Sequence, residues 1–511
     1  MIDLTVKEIA EIVGGRLDSV ENPEALVTGF VEFDSRKVAP GGLFLCFPGA
    51  KVDGHDFAAK AVEQGAVAVL AARPVGVPAI VVEPTGRLEG DGANADIYAN
   101  DLDGSAAAVV RALSDLAHFV TGKLTSEDGL SIVGVTGSAG KTSTKDLIAT
   151  ILRQDGETVA PPGSFNNEIG HPYTALRCDA DTKYLVAELS ARGIGHIKHL
   201  TDIATPRIGV VLNVGTAHLG EFGSRENIAQ AKGELVEALP SAAEGGIAVL
   251  NADDSFVAAM ASRTRAKVVT YSSANPPAAG ADYYATDITL DNVARPSFTL
   301  HAPGAAPVSV TLQVFGVHQV SNSLAAAAAA IEAGLSVQSV ADSLSGHRNA
   351  SAHRMDVHTR ADGVTIINDS YNANPDSMRA AIAALGYTTS GRPDARSIAV
   401  LGEMGELGDD AIEEHYQLGA ELAKYDVHTL IVVGESVYGE AMAKAASERG
   451  INTMVSRDID DAIWHIEEVL QTPPAGVEDW SSRELKDVVL VKASNAQRLW
   501  LVSERLLNGE D

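Results

Sequence analysis

The run Gly134-Val135-Thr136-Gly137-Ser138-Ala139-Gly140-Lys141-Thr142 concentrates three groups of one chemistry: glycines, a lysine and a hydroxyl side chain. Glycines let a backbone turn tightly and aim successive N–H groups at an anion. The lysine adds a mobile positive charge, and the Thr142 hydroxyl offers oxygen to Mg²⁺, a hard ion that takes oxygen ligands. Together these groups suit the phosphates of a nucleoside triphosphate. The spacing departs from the common G-x-x-x-x-G-K-[ST] loop, which needs glycine where Val135 stands; the glycines fall at 134, 137 and 140. A tight turn without a ligand is the plainer alternative. A lysine at a helix N-terminus, however, opposes the macrodipole unless an anion joins it.

Open α/β sheets place ligands at the carboxyl ends of their strands. Glu188 follows the apolar run Tyr184 to Ala187, and His218 comes shortly after Ile208 to Leu212. A carboxylate at such a place suits Mg²⁺; the histidine is either a metal-side group or a hydrogen-bonding wall residue. Lys232 lies in a helical pattern opened by Ser224, with Ile228, Ala231, Leu235 and Leu239 as its apolar stripe. Taken alone, Lys232 reads as a solvated surface lysine.

These residues need elements to hold them. The apolar run Leu130 to Val135 reads as a buried strand, and Lys141 to Gln154 as a helix with Leu147, Ile148, Ile151 and Leu152 at helical spacing. A chain of 511 residues exceeds one ordinary core, so several domains are expected. Three blocks are visible. Residues 1–104 carry short apolar runs, Gly42 to Phe47 and Ala66 to Leu70, and end in the polar, glycine-rich stretch 83–104. Residues 105–346 open with the helix candidate Ser105 to Phe119 and the phosphate loop. Strand-like runs then alternate with helical patterns: Tyr184 to Ala187, Ile208 to Leu212, Ile247 to Leu250 and Lys267 to Tyr271. That alternation predicts an α/β fold with a mainly parallel sheet. From Asp282 to Val314 alternating β-branched and polar residues predict a small antiparallel sheet, followed by the helix candidate Val320 to Ala333. Residues 347–511 are again α/β, with strands at Val364 to Ile367, Ile398 to Leu401, Thr429 to Val433 and Val488 to Val491, and a helix at Ala411 to Lys424. The alanine-rich helices are put down to alanine's helix propensity.

The formal net charge is −29, from 39 basic and 68 acidic side chains. That argues against binding nucleic acid or an anionic membrane, and makes any phosphate site a local positive island. Two cysteines, Cys46 and Cys178, are too few for a disulfide framework and read as buried thiols. The N-terminus lacks the cationic start of a signal peptide, and no run reaches the roughly 18 apolar residues of a membrane span. A cytoplasmic protein without membrane insertion is expected.

Read together, the motifs resemble the Mur ligases, which build the peptide stem of bacterial cell-wall precursors. The loop Thr136 to Thr142, the Glu188 strand, His218 and Ala231-Lys232-Gly233-Glu234 occur in the order found in that family. Further likeness lies in Asp34-Ser35-Arg36-Lys37, Asp53-Gly54-His55-Asp56-Phe57, Phe165-Asn166-Asn167-Glu168-Ile169-Gly170, Asn368-Asp369-Ser370-Tyr371-Asn372-Ala373-Asn374-Pro375 and Leu401-Gly402-Glu403-Met404-Gly405-Glu406-Leu407-Gly408. The resemblance spans nearly the whole chain. The latter segments point within the family to addition of D-alanyl-D-alanine to UDP-N-acetylmuramoyl-tripeptide. The Asp-Asn-Pro-Arg string usual in the member adding the third residue is missing; Asn372-Ala373-Asn374-Pro375 occupies its place. A P-loop ATPase that switches partners stays as the alternative from another class.

The resemblance implies three domains: a small α/β domain (1–104) for the UDP substrate, a central P-loop-type ATP-binding domain (105–346), and a Rossmann-like domain (347–511) that takes the incoming dipeptide and closes on ATP. It implies that Gly137, Ser138, Ala139, Gly140, Lys141, Thr142 and Ser143 hold the ATP phosphates and that Thr142, Glu188 and His218 surround Mg²⁺. Lys232 matches a lysine that the family commonly carbamylates. Asn322 matches an adenine contact, Arg354 an arginine reaching the γ-phosphate and Asp369 a ribose contact. Lys141, Lys232 and Arg354 are the implied catalytic groups. Ser35, Arg36, Asn166, Asn167, Ser190, Arg192, Asn372 and Asn374 are the implied substrate contacts. Two departures stand out: the family's Gly-x-His-Asn is Gly316-Val317-His318-Gln319 here, and its Lys-Gly-Ser is Lys492-Ala493-Ser494. A monomer is expected.

Overall fold

The computed structural model describes residues 1–48, 52–84, 86, 98, 101–161, 163–215, 219–291, 294–348, 351–392, 394–473 and 486–508. Its first unit pairs β1 (Leu4–Thr5) with β3 (Leu26–Val27). A five-stranded sheet beside them runs β2 (Arg16–Asp18), β7 (Ala79–Val81), β6 (Ala68–Ala71), β5 (Leu43–Leu45), β4 (Val31–Glu32). The Asp53 to Phe57 segment is spent on this fold: Asp53 accepts from the His55 backbone N–H at 3.0 Å and from Arg73 Nη2 at 2.7 Å. His55 Nε2 in turn accepts the Ala72 N–H at 3.1 Å.

The central sheet has nine strands in the order β16 (Val308–Thr311), β15 (Pro296–His301), β14 (Tyr283–Leu290), β13 (Lys267–Ser272), β12 (Ile247–Asn251), β11 (Ile208–Val211), β8 (Ser131–Thr136), β10 (Thr182–Glu188), β9 (Glu157–Val159). From β9 to β14 every pairing is parallel; β15 and β16 are antiparallel. The antiparallel strands expected from 282 to 314 are thus present, and they extend the main sheet through the β13–β14 pair. The chain leaves β8 toward β9 and β10 on one side and returns to β11 on the other. The end of β8 is therefore the point where the winding reverses, which is where such sheets open a ligand crevice.

The third unit carries a six-stranded sheet in the order β17 (Asp356–Thr359), β18 (Thr365–Asn368), β22 (Val488–Lys492), β19 (Ser397–Leu401), β20 (Thr429–Val433), β21 (Asn452–Ser456). Only β17 among these runs antiparallel to its neighbour. Buried apolar clusters lie on both faces of all three sheets, as α/β layering requires. The helix Ser105–Glu127 runs past Phe119, where the sequence reading stopped it, because Val120, Thr121 and Leu124 continue its buried face. That face packs on helices of the first unit and of the central unit alike. The helix begun at Ala411 is α-helical to Glu421 and tightens into a 3₁₀ turn, Leu422–Tyr425.

Candidate active site

Residues 137–140 turn from β8 into the helix Lys141–Leu152. Gly134 and Gly140 serve different purposes. Gly134 lies within β8, where a methyl group would come within 2.9 Å of Pro206 and 3.1 Å of Leu189, so packing excludes a side chain there. Gly140 has φ +84, and a methyl group on it would fall 2.6 Å from Asn322 Oδ1. The turn is fastened to the end of β11: the Ser138 N–H donates to the Asn213 carbonyl at 3.1 Å and the Ala139 N–H to Asn213 Oδ1 at 2.9 Å. Gly215 N–H donates to Ser138 Oγ at 2.9 Å.

Register brings the carboxylate to the loop. β10 pairs with β8 so that Glu188 stands beside Val135. Glu188 is buried; its Oε2 accepts from Thr142 Oγ1 at 2.7 Å and its Oε1 from Asn166 Nδ2 at 2.8 Å. Ser164 Oγ is 3.0 Å from Thr142 Oγ1 and accepts from Arg354 Nη2 at 2.9 Å. The Arg354 guanidinium lies 4.1 Å over the Tyr371 ring. Lys141 Nζ donates to the Gly137 carbonyl at 2.7 Å. Burial lowers the Lys141 pKa; Glu188 opposes that shift, and Arg354 adds to it.

The third unit faces this loop across a cleft of about 520 Å³. Ser138 through Ser143, Asn166, Asn167, Glu188, Ser190, Arg192, Asn322, Arg354, Asp369, Asn372 and Asn374 all line it. Asp369 and Lys492 sit at the carboxyl ends of the neighbouring strands β18 and β22. Lys492 Nζ contacts Asp369 Oδ2 at 2.5 Å and donates to the Asn372 carbonyl at 2.9 Å. Asp369 Oδ1 accepts the Met355 N–H at 3.0 Å. Burial lowers the Lys492 pKa, with Asp369 opposing.

Several of these polar residues also serve the fold. Asn374 caps the helix Pro375–Ser390 in a reciprocal box with Ser377, and its Nδ2 reaches the Ser138 carbonyl at 3.5 Å. Asn167 Oδ1 accepts the Gly170 N–H at 2.9 Å. Asn322 Nδ2 donates to Gln319 Oε1 at 3.0 Å. Arg192 bridges the cleft to Glu406 at 2.9 Å.

Other sequence-derived candidates lie apart from the cleft wall. Ser35 and Arg36 sit on the first unit in a short turn capped by Asp34; Arg36 is 81% exposed and paired to Asp34 at 2.8 Å. Gly137 contributes its carbonyl to Lys141. His218 lies outside the described residues. Lys232, which alone reads as a surface lysine, is 4% exposed on the helix Arg225–Glu237. Its stripe neighbours Ile228, Ala231 and Leu235 are buried with it, so the whole of that turn faces inward. Burial first, and then the Lys141 charge, lower the Lys232 pKa well below the usual lysine range.

Sequence reasoning missed Lys145, Asp146, Ser164, Tyr371, Glu406 and the pairing of Lys492. Lys492 carried a usable signal, a charged residue ending the apolar run Val488 to Val491, the same pattern that singled out Glu188. Ser164 carried none, since its position depends on a loop that returns from β9's neighbourhood.

Comparison with known proteins agrees along the chain. The Mur ligase family catalytic domain matches residues 28–114, the Mur ligase middle domain residues 135–330, and the Mur ligase glutamate ligase domain residues 353–495. The UDP-N-acetylmuramoyl-tripeptide–D-alanyl-D-alanine ligase of Mycobacterium leprae is 50% identical over 527 residues, covering 99% of both chains. The Mycobacterium tuberculosis (H37Rv) protein of the same name is 51% identical over 526 residues, covering 99% of this chain and 98% of that one. Among solved structures, MurF from Acinetobacter baumannii superposes with TM-score 0.80 at 26% identity, covering 99% of each chain. MurF ligase from Thermotoga maritima, in complex with ADP, gives TM-score 0.72 at 27% identity, covering 94% of this chain and 97% of that one.

Proposed function

Because this chain belongs to the Mur ligase family, we propose that it joins D-alanyl-D-alanine to UDP-N-acetylmuramoyl-tripeptide in peptidoglycan precursor synthesis, converting ATP to ADP and phosphate. One observation carries the chemistry: cations from two units, Lys141 of the phosphate loop and Arg354 of the third unit, line the same cleft. Amide formation from a carboxylate and an amine is uphill in water, and the carboxylate oxygen is a poor leaving group. In the proposed reaction the tripeptide carboxylate oxygen attacks the γ-phosphorus of ATP, the bond to the ADP oxygen breaks, and an acyl phosphate results. The dipeptide amine then attacks the carbonyl carbon, phosphate leaves with the C–O electron pair, and the amine loses a proton. An α-amine has a pKa of about 8, so a sizeable neutral fraction exists at neutral pH and no strong base is assigned.

Phosphoryl transfer needs alignment and charge neutralisation rather than protein covalent chemistry. Lys141, whose Nζ donates to its own loop carbonyl at Gly137, is assigned to the β/γ oxygens; Arg354 supplies the second charge from the opposite wall. Asn322 is assigned to the adenine and Asp369 to the ribose. Contact between the units at Arg192–Glu406 and Asn374–Ser138 narrows the path by which water reaches an acyl phosphate. Asn166, Asn167, Ser190, Arg192, Asn372 and Asn374 are assigned to the substrates at the cleft, and Ser35 and Arg36 to the UDP end on the first unit. Domain boundaries are placed near 104 and 346.

The donor set fits Mg²⁺. Thr142 and Glu188 offer oxygens already 2.7 Å apart. Among the described residues no cluster of three or more His, Cys, Asp or Glu side chains could hold a metal unaided. That suits an ion bound through one carboxylate plus substrate phosphates. When bound, Mg²⁺ neutralises phosphate charge; His218 is assigned beside it. Lys232 fits carbamylation: burial lowers the pKa of its amine and so raises the neutral fraction, and a neutral amine adds to CO₂ with loss of one proton to give an anion. Intact-mass measurement with and without bicarbonate tests this; an active preparation whose Lys232 never carries the added CO₂ rejects it. No described helix is long and apolar enough to cross a membrane. The substrates assigned here are water-soluble, which supports a cytoplasmic enzyme; a monomer is proposed.

The test is phosphate release with ATP, Mg²⁺ and UDP-N-acetylmuramoyl-tripeptide, adding D-alanyl-D-alanine, D-alanine or diaminopimelate in turn. Full turnover with the dipeptide alone, abolished by Lys141→Ala, is expected. Turnover independent of any amine identifies an ATPase instead.

A further inference from the structure

Lys145 is 1% exposed, and an ammonium has three N–H bonds to satisfy. It donates to the Pro161 carbonyl at 2.6 Å and the Gly163 carbonyl at 3.3 Å, and pairs with Asp146 Oδ1 at 2.6 Å. The other oxygen of Asp146, Oδ2, accepts from Ser351 Oγ at 2.6 Å. The pair therefore links two segments that arrive from different directions. One runs from Gly163 into Ser164 and Asn166, which touch Thr142, Arg354 and Glu188. The other runs from Ser351 to Arg354 at the entry to the third unit. Both meet on the helix that begins with Lys141 and Thr142.

We infer that Lys145 and Asp146 are positioning residues for phosphoryl transfer: the pair fixes Ser164 and Arg354 relative to the phosphate loop without touching the nucleotide. Three observations support this over a purely structural role. A lysine as buried as Lys145 is rare unless paired, and its partner Asp146 is itself only 11% exposed at the side chain. Lys145 Nζ is committed to one segment and Asp146 Oδ2 to the other, while Asp146 Oδ1 joins the two halves of the pair. Both segments end, within a few residues, on groups that line the cleft. Thr150 Oγ1 lies 2.8 Å from His347 Nδ1 one turn further along, so the same helix holds the approach to the third unit at a second point.

The inference rests on the ligase reading, and one set of measurements separates the two. Ser351→Ala removes only the hydroxyl that Asp146 holds, and Asp146→Asn keeps the shape but loses the charge. Lys145→Met is made in parallel; if it does not fold, the other two carry the test. kcat, KM for ATP and the melting temperature are measured for each, alone and combined with Arg354→Ala. Ser351→Ala and Asp146→Asn are expected to lower kcat roughly 10-fold or more, the scale of a misplaced catalytic group, with KM for ATP within about twofold. In the Arg354→Ala background Ser351→Ala should lower kcat no further, because the group it acts through is gone. Equal fold losses in both backgrounds, or an unchanged kcat in the single variants, overturn the inference while leaving the ligase intact. A wild-type chain with no dipeptide-dependent phosphate release removes the ligase reading and this inference with it.

Discussion

Gly140→Ala tests whether the turn before Lys141 is a phosphate cradle whose shape decides nucleotide affinity. Two separate terms follow from the geometry. At φ +84 an alanine sits in the left-handed region, at a cost of about 1–2 kcal/mol. Its methyl group would also lie 2.6 Å from Asn322 Oδ1 and 3.4 Å from Leu212 Cδ1. Relieving such overpacking costs about 1–3 kcal/mol, because Asn322 is itself buried and bonded to Gln319. In the free protein the loop relaxes out of shape to shed this strain, and nucleotide binding restores the cradle and the strain with it, so the cost falls on affinity. The sum, about 2–5 kcal/mol, corresponds to a loss of ADP affinity from roughly 30-fold to several thousand-fold. Calorimetric titration of ADP into the variant measures it, with the melting temperature of the free protein as a check on folding. Asn322→Ala relieves the clash and keeps the φ strain, so Gly140→Ala should cost less affinity when measured in the Asn322→Ala background than in the wild type, whatever Asn322 itself contributes to the adenine. ADP binding by Gly140→Ala within threefold of wild type would refute the reasoning, since neither term would then reach the ligand.

Arg354→Lys should lower kcat at least 10-fold, with little change in ADP affinity, because an ammonium cannot both reach Ser164 and stack on Tyr371; steady-state phosphate release and ADP titration check it. Lys232→Met should stabilise the protein near neutral pH in CO₂-free buffer. Below the unfolded lysine value near 10.5 the unfolded chain binds the proton that the buried amine gives up, so the wild type gains stability as pH rises toward 10.5 and the advantage of the variant should shrink. Melting curves from neutral pH to pH 10.5 show whether the two lines converge. His171 is buried, donates to the Leu200 carbonyl, and has its pKa pushed down to about 4 by burial. Between 6.5 and 4 the unfolded chain takes up a proton that the folded chain does not, so stability falls as pH falls, by about 3 kcal/mol over that range. His171→Gln should flatten the acid limb of the stability profile; an identical slope in the two proteins would count against it.

The sequence carried the sheet strands well because buried parallel strands are continuous apolar runs, and β8, β10, β11, β12 and β20 lie where such runs fall. The carboxyl-end rule also put Lys141 and Glu188 at one edge of a sheet, while the strand neighbours that bring them together were not legible. What it could not carry was pairing across long separations. Asp369 and Lys492 meet only because β18 and β22 are neighbours in space, and nothing local announces that. Lys232 was misjudged alone for a different reason. Charge is a poor guide to exposure when a helix is enclosed on the face that holds it, and the apolar stripe was read without its neighbours. Ser164 and the Lys145–Asp146 pair escaped because their meaning lies in which backbone carbonyls and hydroxyls they reach.

The alanine run in the helix His318–Glu332 has a consequence beyond helix propensity. Ala325 through Ala330 are all at most 1% exposed, so the helix is enclosed around its whole circumference, against the sheet on one side and the phosphate-loop helix on another. Helix separation follows the size of the side chains between them. The methyl groups therefore act as a spacer of fixed thickness, and the same helix carries Asn322 while its neighbour begins at Lys141. The spacing set by alanine brings Asn322 Oδ1 to 2.6 Å from where a Gly140 methyl group would lie, so the run fixes how closely the phosphate loop is backed.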